Sequence, residues 1–149
     1  MPSDRADAPL DASPALCLSG GGYRAMVFHI GVLWRLYDAN VLGTIGRISS
    51  VSGGSITAGV LALAWKRLSF DAANVRTDFV PHVVLPLRAM AGETLDADAI
   101  ILGGLLPGSV SERVASAYDR HLFHGATLQD LPDSPRFVIN ATNVQSGVL

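Results

Sequence analysis

The chain has 149 residues, of which 49% are hydrophobic and 16% charged, and its formal net charge is −2. This composition is typical of one globular domain and excludes a disordered chain. There is no basic block, which argues against nucleic acid as a partner. No apolar stretch reaches the ~20 residues that a membrane span needs.

Residues Met1–Pro14 read as a flexible tail, because three prolines and four charged residues interrupt any regular pattern. The tail has neither the positive start nor the apolar centre of a signal peptide. We therefore expect one domain over residues 15–149 in a cytoplasmic protein, whose contact with membranes, if it has any, is peripheral.

The first two predicted elements are a strand and a helix. Ala15–Leu18 is a short apolar run closed by glycines, which predicts a buried strand. It contains Cys17, the single cysteine, which we expect to be packed and unreactive. Gly22–Asn40 predicts a helix that is apolar nearly all round and therefore mostly buried.

A second strand and helix follow. Arg47–Val51 predicts the strand, and Gly53–Arg67 predicts a helix rich in small residues. The alternation of strand and helix with short turns predicts an α/β fold, with a parallel sheet covered by helices on both faces. Ligands of such sheets bind at the carboxyl ends of the strands, where both glycine-rich turns of this chain lie.

The second half of the chain is less regular. Glycines and prolines break Phe70–Leu106 into short pieces, whose apolar residues favour core packing over a ligand pocket. Ser109 is a candidate cap for a helix over Val110–Leu122, and Arg136–Ala141 predicts a third strand.

The last residues read as the start of a hairpin. Gln145–Gly147 has the composition of a hairpin turn, and Val148–Leu149 begins a strand. A turn without its return strand leaves an unpaired sheet edge. We therefore expect these residues to be the N-terminal part of a longer domain.

The second turn contains a candidate nucleophile. The run Ser50-Val51-Ser52-Gly53-Gly54 departs from the pattern G-x-S-x-G only at Ser50. In such an elbow the serine sits in a strained turn at the positive end of a helix dipole, which favours an oxyanion. The alternative is that Ser52 is an ordinary helix N-cap and that Gly53 and Gly54 are turn residues.

The first turn contains a candidate oxyanion hole. The backbone N–H groups that could point at a developing charge belong to Gly20, Gly21, Gly22 and Tyr23. Arg24 is a candidate for fixing the loop or binding an anionic group, and the alternative is a plain surface arginine. The turn also fits the dinucleotide pattern G-x-G-x-x-A, but that interpretation needs an acidic residue at the end of the second strand, where none stands.

Together, the two turns resemble those of the patatin-like phospholipases. The segments with this resemblance are Leu18–Ala25, Ser50–Ser55, Leu128–Pro132 and Arg136–Asn143. The resemblance implies a patatin-like acyl hydrolase fold, a lipid or ester substrate, and Ser52 as nucleophile. It places the glycines and Arg24 in the oxyanion motif. Ala25 and Ser50 depart from the family pattern, since both stand where the family has glycine.

A third departure concerns the catalytic base. The resemblance implies a Ser–Asp dyad whose aspartate precedes a glycine, and no aspartate of these 149 residues does so. A serine hydroxyl without a base is a weak nucleophile. We therefore expect the chain alone to hydrolyse little or nothing, with activity in a longer parent. The alternative is a non-catalytic fragment or binding module.

Histidines offer another source of a base. His121 and His124 follow Ser52 in the chain, with Asp119 and Asp130 nearby, so a Ser-His-Asp arrangement is a further hypothesis. The spacing of histidine and glutamate matches no metal motif, and we expect neither a metal nor a cofactor.

Overall fold

The computed structural model describes residues 12–71, 77–92, 110–143 and 145–147. These residues form three strands flanked by four α-helices. The strands are β1 (Ala15–Leu18), β2 (Arg47–Val51) and β3 (Arg136–Asn140), and the helices are α1 (Gly22–Asp38), α2 (Gly53–Ala64), α3 (Leu85–Ala91) and α4 (Val110–Tyr118). The predicted α/β class is confirmed.

Short helical turns extend several of these elements. They are the 3₁₀ turns Leu42–Thr44, Trp65–Arg67 and Leu128–Asp130 and the π-helical turns Val80–Val84 and Asp119–Phe123. With its 3₁₀ turn, α2 fills the whole predicted range, and α4 with its π turn ends one residue beyond its predicted end. The predictions for Ser109 and for a strand at Val148–Leu149 fall outside the described residues.

The sheet is parallel and has the order β1-β2-β3, so β2 is its central strand. Its register aligns Leu18 with Ser50 and Ser50 with Ile139. Because parallel strands end at the same edge, the turns after β1 and β2 lie side by side. This edge is where the sequence places both glycine-rich turns.

Helix α2 is the centre of the packing. It contacts all three strands and packs against α1, and nine of its twelve residues are buried. Its many small residues allow this close approach, and a helix buried on nearly every side is apolar on nearly every side. The Thr57 hydroxyl donates a hydrogen bond to the Met26 carbonyl at 3.3 Å, which joins α2 to α1.

Helix α1 is buried on one face only. Met26, Ile30 and Leu33 are buried, whereas Phe28 is 66% exposed and Trp34 is also exposed. The prediction of a mostly buried helix is wrong for this outer face, because the described residues pack on one side of α1. No helix in the described part of the chain is both long and apolar enough to cross a membrane.

Cys17 is exposed, so the prediction of a packed thiol is wrong. Successive residues of a strand point to opposite faces of the sheet. Leu18 faces the core, and Cys17 therefore faces the other side, together with the exposed Arg47 and Val51. Within the described ranges the helices bury one face of the sheet, not both as expected.

The predicted turn at Gln145–Gly147 is present. The Asn143 side-chain oxygen accepts hydrogen bonds from the N–H groups of Gln145 and Ser146, at 2.9 and 3.2 Å. The N–H of Gly147 donates to the Asn143 carbonyl at 2.7 Å. An asparagine that bonds the backbone in this way stabilises a turn without a neighbouring strand.

Asp78 ties the segment before α3 to the end of α1. Its carboxylate accepts hydrogen bonds from the Tyr37 hydroxyl and, at 2.6 Å, from the Ser69 N–H. Burial raises the pKa of Asp78, but the hydrogen bonds from Tyr37, Ser69 and the Asp78 N–H, together with the nearby His82, more than offset this effect. The pKa therefore lies below its ordinary value of 3.8.

We expect Asp78→Asn to lower the free energy of unfolding at neutral pH by about 1–2 kcal/mol, because hydrogen bonds to a partly exposed charged group are lost. The folded-state pKa lies below the unfolded value, so this stabilisation is complete above 3.8 and is lost as the pH falls through the folded-state pKa. Urea denaturation at about pH 7 and about pH 3 measures it.

The difference between wild type and Asp78→Asn should therefore shrink at the lower pH. The matched control is Asp133→Asn, at an exposed aspartate, which should change stability little at either pH. A difference that stays constant with pH would contradict the assigned role of the Asp78 carboxylate.

Candidate active site

Ser52 alone forms the turn between β2 and α2. Its dihedral angles are φ 53° and ψ −124°, a conformation that strains any residue other than glycine. Its side chain is exposed and makes no capping hydrogen bond to α2. An ordinary N-cap serine would make that bond. The geometry favours a nucleophile elbow over the N-cap alternative.

The glycine-rich turn lies directly against this serine. Gly21 and Gly22 have positive φ angles of 135° and 62°, which glycine adopts without strain. A Cβ atom on Gly20 would lie 3.2 Å from the Ser52 Cβ and 3.8 Å from its Oγ. Any side chain at Gly20 would therefore crowd the hydroxyl.

The two turns touch through their backbones. A Cβ atom on Gly53 would lie 2.2 Å from the Gly22 carbonyl oxygen, and one on Gly54 would lie 2.5 Å from the Leu18 oxygen and 2.7 Å from the Ser19 oxygen. These distances leave no room for a side chain. The glycines that follow Ser52 are thus needed for contact with the first turn.

His29 holds the first peptide of the glycine-rich turn. It is 5% exposed, and its Nε2 lies 3.0 Å from the Ser19 carbonyl oxygen and 3.4 Å from the Ser19 Oγ. A carbonyl oxygen can only accept, so Nε2 bears the proton and donates it. Because a peptide is planar, fixing this carbonyl also fixes the N–H of Gly20. Sequence reasoning missed this role, although a histidine two turns after Gly22 was a usable signal.

Ser50, which stands where the elbow pattern has glycine, ties three elements together. It is 2% exposed, its hydroxyl donates to the Val138 carbonyl at 3.3 Å, and it accepts from the Ser55 hydroxyl at 3.2 Å. The side-chain amide of Asn140 donates to the Ser50 carbonyl at 3.0 Å and to the Ser49 hydroxyl at 2.9 Å. These bonds fix the end of β2 just before Ser52.

Ser52 opens into a cavity of about 340 Å³. Its lining residues are Gly22, Tyr23, Ser52, Gly53, Ile56 and Tyr118. Helices α1 and α2 both begin at this cavity, and helix N-termini present N–H groups without partners inside the helix and a positive dipole. The cavity therefore favours a negative charge beside Ser52. Sequence reasoning missed Ile56 and Tyr118.

Some of the other predicted site residues lie at the Ser52 cavity, and others do not. Gly20 lies against Ser52, and Gly22, Gly53 and Tyr23 line the cavity. Gly54 packs on Leu18 and Ser19, and a Cβ atom on Gly21 would meet only the Ala25 side chain. Arg24 is exposed in the first turn of α1 and does not line the cavity. Its position fits the alternative of a surface arginine better than a contact with a bound anion.

The histidines proposed for a triad lie elsewhere. His121 and His124 line a separate cavity together with His82, and none of them lines the Ser52 cavity. Among the residues that the structure describes, no group of histidine, cysteine, aspartate and glutamate could hold a metal ion.

The aspartates proposed for a triad are used in local turns. Asp119 accepts a hydrogen bond from the Gly125 N–H at 2.6 Å. Asp130 accepts from the N–H and the hydroxyl of Thr127, at 2.7 and 2.9 Å, and these bonds lower the pKa of Asp130. The described residues therefore do not assemble a Ser-His-Asp arrangement.

A family model described as Patatin-like phospholipase matches residues 16–131. The chain belongs to the patatin-like phospholipase family. Membership indicates a lipid acyl hydrolase, since the family acts on lipid and ester substrates. The match includes both glycine-rich turns and ends before β3. Comparison with curated proteins gave no match, and comparison with solved structures gave none either.

We expect Gly54→Ala to lower the free energy of unfolding by about 2–3 kcal/mol, because the new methyl group would overlap backbone oxygens that cannot move aside. Gly31→Ala is the matched control in α1, where a Cβ atom meets nothing within 4 Å. That control should raise stability by up to about 1 kcal/mol through helix propensity. Chemical denaturation measures both, and equal effects would contradict the packing described here.

We also expect Ser52→Gly to be more stable than Ser52→Ala by about 1 kcal/mol. Both variants lose the hydroxyl, but only glycine adopts the positive φ angle of this position without strain. At an unstrained position the order is reversed, because alanine loses less conformational entropy on folding. Thermal melting of the two variants tests this, and a more stable alanine variant would show that the turn is not strained.

Proposed function

We propose that the protein is a lipid acyl hydrolase in which Ser52 is the nucleophile. The observation that supports this most strongly is the strained backbone of Ser52, with its hydroxyl uncapped and beside Gly20. The N–H groups of the Gly20–Tyr23 turn form the oxyanion hole, assisted by the N-termini of α1 and α2. Lipid substrates occur in membranes, so transient contact with a lipid surface belongs to the proposal.

The proposed reaction proceeds through an acyl-enzyme. The Ser52 Oγ bonds to the carbonyl carbon of the ester while a base takes its proton, and the carbonyl oxygen becomes an oxyanion held by the turn. The tetrahedral intermediate then expels the alcohol, which takes up the proton. Water then attacks the acyl carbonyl carbon while the base takes a proton from the water. The second tetrahedral intermediate expels the Ser52 oxygen, which takes up the proton, and the carboxylic acid leaves.

We assign the base to an aspartate outside these 149 residues. The family resemblance implies a Ser–Asp dyad, and no aspartate of this sequence precedes a glycine. The cavity that contains Ser52 is lined by no carboxylate or imidazole among the described residues. A base must lie within hydrogen-bond reach of the proton that it abstracts.

The lack of a carboxylate or imidazole in the lining of the Ser52 cavity also favours a second function for these residues alone. In this alternative they form a module that binds a lipid ester without hydrolysing it. No contact among the described residues favours nucleotide binding. The backbone of Gly20 and Gly22, which would cradle a pyrophosphate, is packed against Ser52 and Gly53.

A fluorophosphonate probe tests the nucleophile in the protein expressed from its whole reading frame. We expect covalent labelling of Ser52 and, in Ser52→Ala, a loss of at least about 10³-fold in labelling rate and in ester hydrolysis. Ser116→Ala is the matched control, at an exposed serine of α4, and should label like the wild type. Labelling that persists in Ser52→Ala would refute the assignment.

Hydrolysis of a p-nitrophenyl ester by residues 1–149 alone tests whether the base lies outside these residues. We expect no rate above that of Ser52→Ala, since none of the described residues places a base beside the hydroxyl. Robust hydrolysis that Ser52→Ala abolishes would show that the base lies within this chain, and it would overturn the assignment to an outside aspartate.

A further inference from the structure

Another cavity lies between the carboxyl end of α2 and the two π-helical turns. Its volume is about 410 Å³, within the usual range of about 300–1,000 Å³ for small-molecule pockets. Its polar side chains belong to Arg67, His82, His121 and His124, and we call it the histidine cavity. None of these four residues lines the Ser52 cavity, so the function proposed for Ser52 makes no use of them.

Both π-helical turns place a histidine at this cavity. His82 lies in the turn Val80–Val84, and His121 lies in the turn Asp119–Phe123. Such turns are rare and occur frequently at functional sites. His124, which ends the second turn, has a φ angle of 50°, a conformation that costs free energy in any residue other than glycine. Irregular backbone thus accompanies each of the three imidazoles.

The charge of the lining is positive. Arg67 bears a permanent positive charge, and an imidazole offers at least one N–H donor in either of its protonation states. Across the described ranges, no carboxylate lines the cavity. The carboxyl end of α2 contributes the negative end of a helix dipole, but this amounts to only about half an elementary charge. The lining therefore favours an anion.

The carboxylates that are nearest in the sequence are held elsewhere. Asp78 interacts electrostatically with His82, but its oxygens accept the two hydrogen bonds described above for the end of α1. Asp119 accepts a hydrogen bond from the Gly125 N–H. Neither of them lines the histidine cavity. A bound anion would therefore face donors without a carboxylate beside it.

Apolar side chains form much of the remaining wall. They include Leu63, Pro86 and Phe123, which are all half-buried. An inorganic anion would leave this apolar surface in water. A ligand with hydrocarbon next to its charge would cover it, and the burial of apolar surface stabilises the complex. The combined lining therefore selects an anion that carries an apolar group.

The number of donors favours a phosphate over a carboxylate. An arginine pairs with two oxygens at once in a bidentate ion pair. A carboxylate then has no further oxygen for an imidazole, whereas a phosphate monoester has a third. Its oxygens are also arranged tetrahedrally, so they can face donors that approach from several segments of the chain.

We propose that the histidine cavity binds a phosphate monoester with an apolar substituent. Arg67 pairs with two phosphate oxygens, the imidazoles donate to the third, and the substituent lies on the apolar wall. This ligand is distinct from the ester that Ser52 attacks, so the proposal does not depend on the function proposed for Ser52.

Calorimetric titration of the protein expressed from its whole reading frame tests the ligand class. The probes are hexyl phosphate, inorganic phosphate, hexanoate and 1-hexanol, all at the same ionic strength. Hexyl phosphate should bind at least about tenfold more tightly than inorganic phosphate, since each buried methylene adds about fourfold. It should also bind more tightly than hexanoate, and 1-hexanol should show no saturable binding.

Three results would overturn the proposal. They are the absence of hexyl phosphate binding, an inorganic phosphate affinity equal to that of hexyl phosphate, and binding of hexanoate or 1-hexanol as tight as that of hexyl phosphate. The second result would indicate a site for free phosphate, and the third a site that does not recognise phosphate.

Variants locate the phosphate, because the Ser52 cavity also favours a negative charge. Arg67→Gln should weaken hexyl phosphate binding by at least about tenfold, since charge-assisted hydrogen bonds are lost. His121→Gln should weaken it by about threefold. Arg88→Gln is the matched control, at an exposed arginine of α3 that does not line the cavity, and should bind like the wild type. Equal affinities of Arg67→Gln and Arg88→Gln would overturn the proposal.

Phosphonate labelling separates this site from the proposed nucleophile. Arg67→Gln should label at Ser52 at the rate of the wild type, because Arg67 does not line the Ser52 cavity. Weaker hexyl phosphate binding with unchanged labelling is the expected result. A parallel loss of labelling in Arg67→Gln would show that the two sites are not separate, and it would overturn the proposal.

Discussion

The site depends on the steric contact between two backbones, that of Gly22 with Gly53 and that of Leu18 and Ser19 with Gly54. This approach is closer than any side chain permits. It brings the N-termini of α1 and α2 to one cavity and holds Ser52 in a conformation that an isolated turn would not keep. The packing of α2 on the sheet and on α1 supplies the stability that maintains this strain.

Sequence reasoning predicted the local features well. The bounds of β1 and β2 and the starts of α1 and α2 follow from short strand segments closed by glycine-rich turns, and the parallel sheet follows from the alternation of strand and helix. It failed for Cys17 and for the outer face of α1. Periodicity shows which residues share a face, but which face is covered depends on the other elements of the fold.

The candidate site divides in the same way. Ser52 and its surrounding glycines belong to short motifs whose spacing is visible in the sequence. Tyr118 and Asn140 act across long separations in the sequence, so the order of strands and the placement of α4 had to be known first. Ser50 stands where the family pattern has glycine, and the sequence gives no sign that its hydroxyl and carbonyl join β2 to β3.

The contact of the two turns also constrains how this protein can evolve. Its central atoms belong to the backbone, and neither Gly53 nor Gly54 can accept a side chain without displacing the opposite turn. Mutational drift at these positions is therefore blocked, whatever the substrate. New substrate preferences can arise through side chains around the cavities, such as Ile56 and Tyr118. Steric necessity thus restricts substitution at the backbone contact, and it restricts the side chains that line the cavities less.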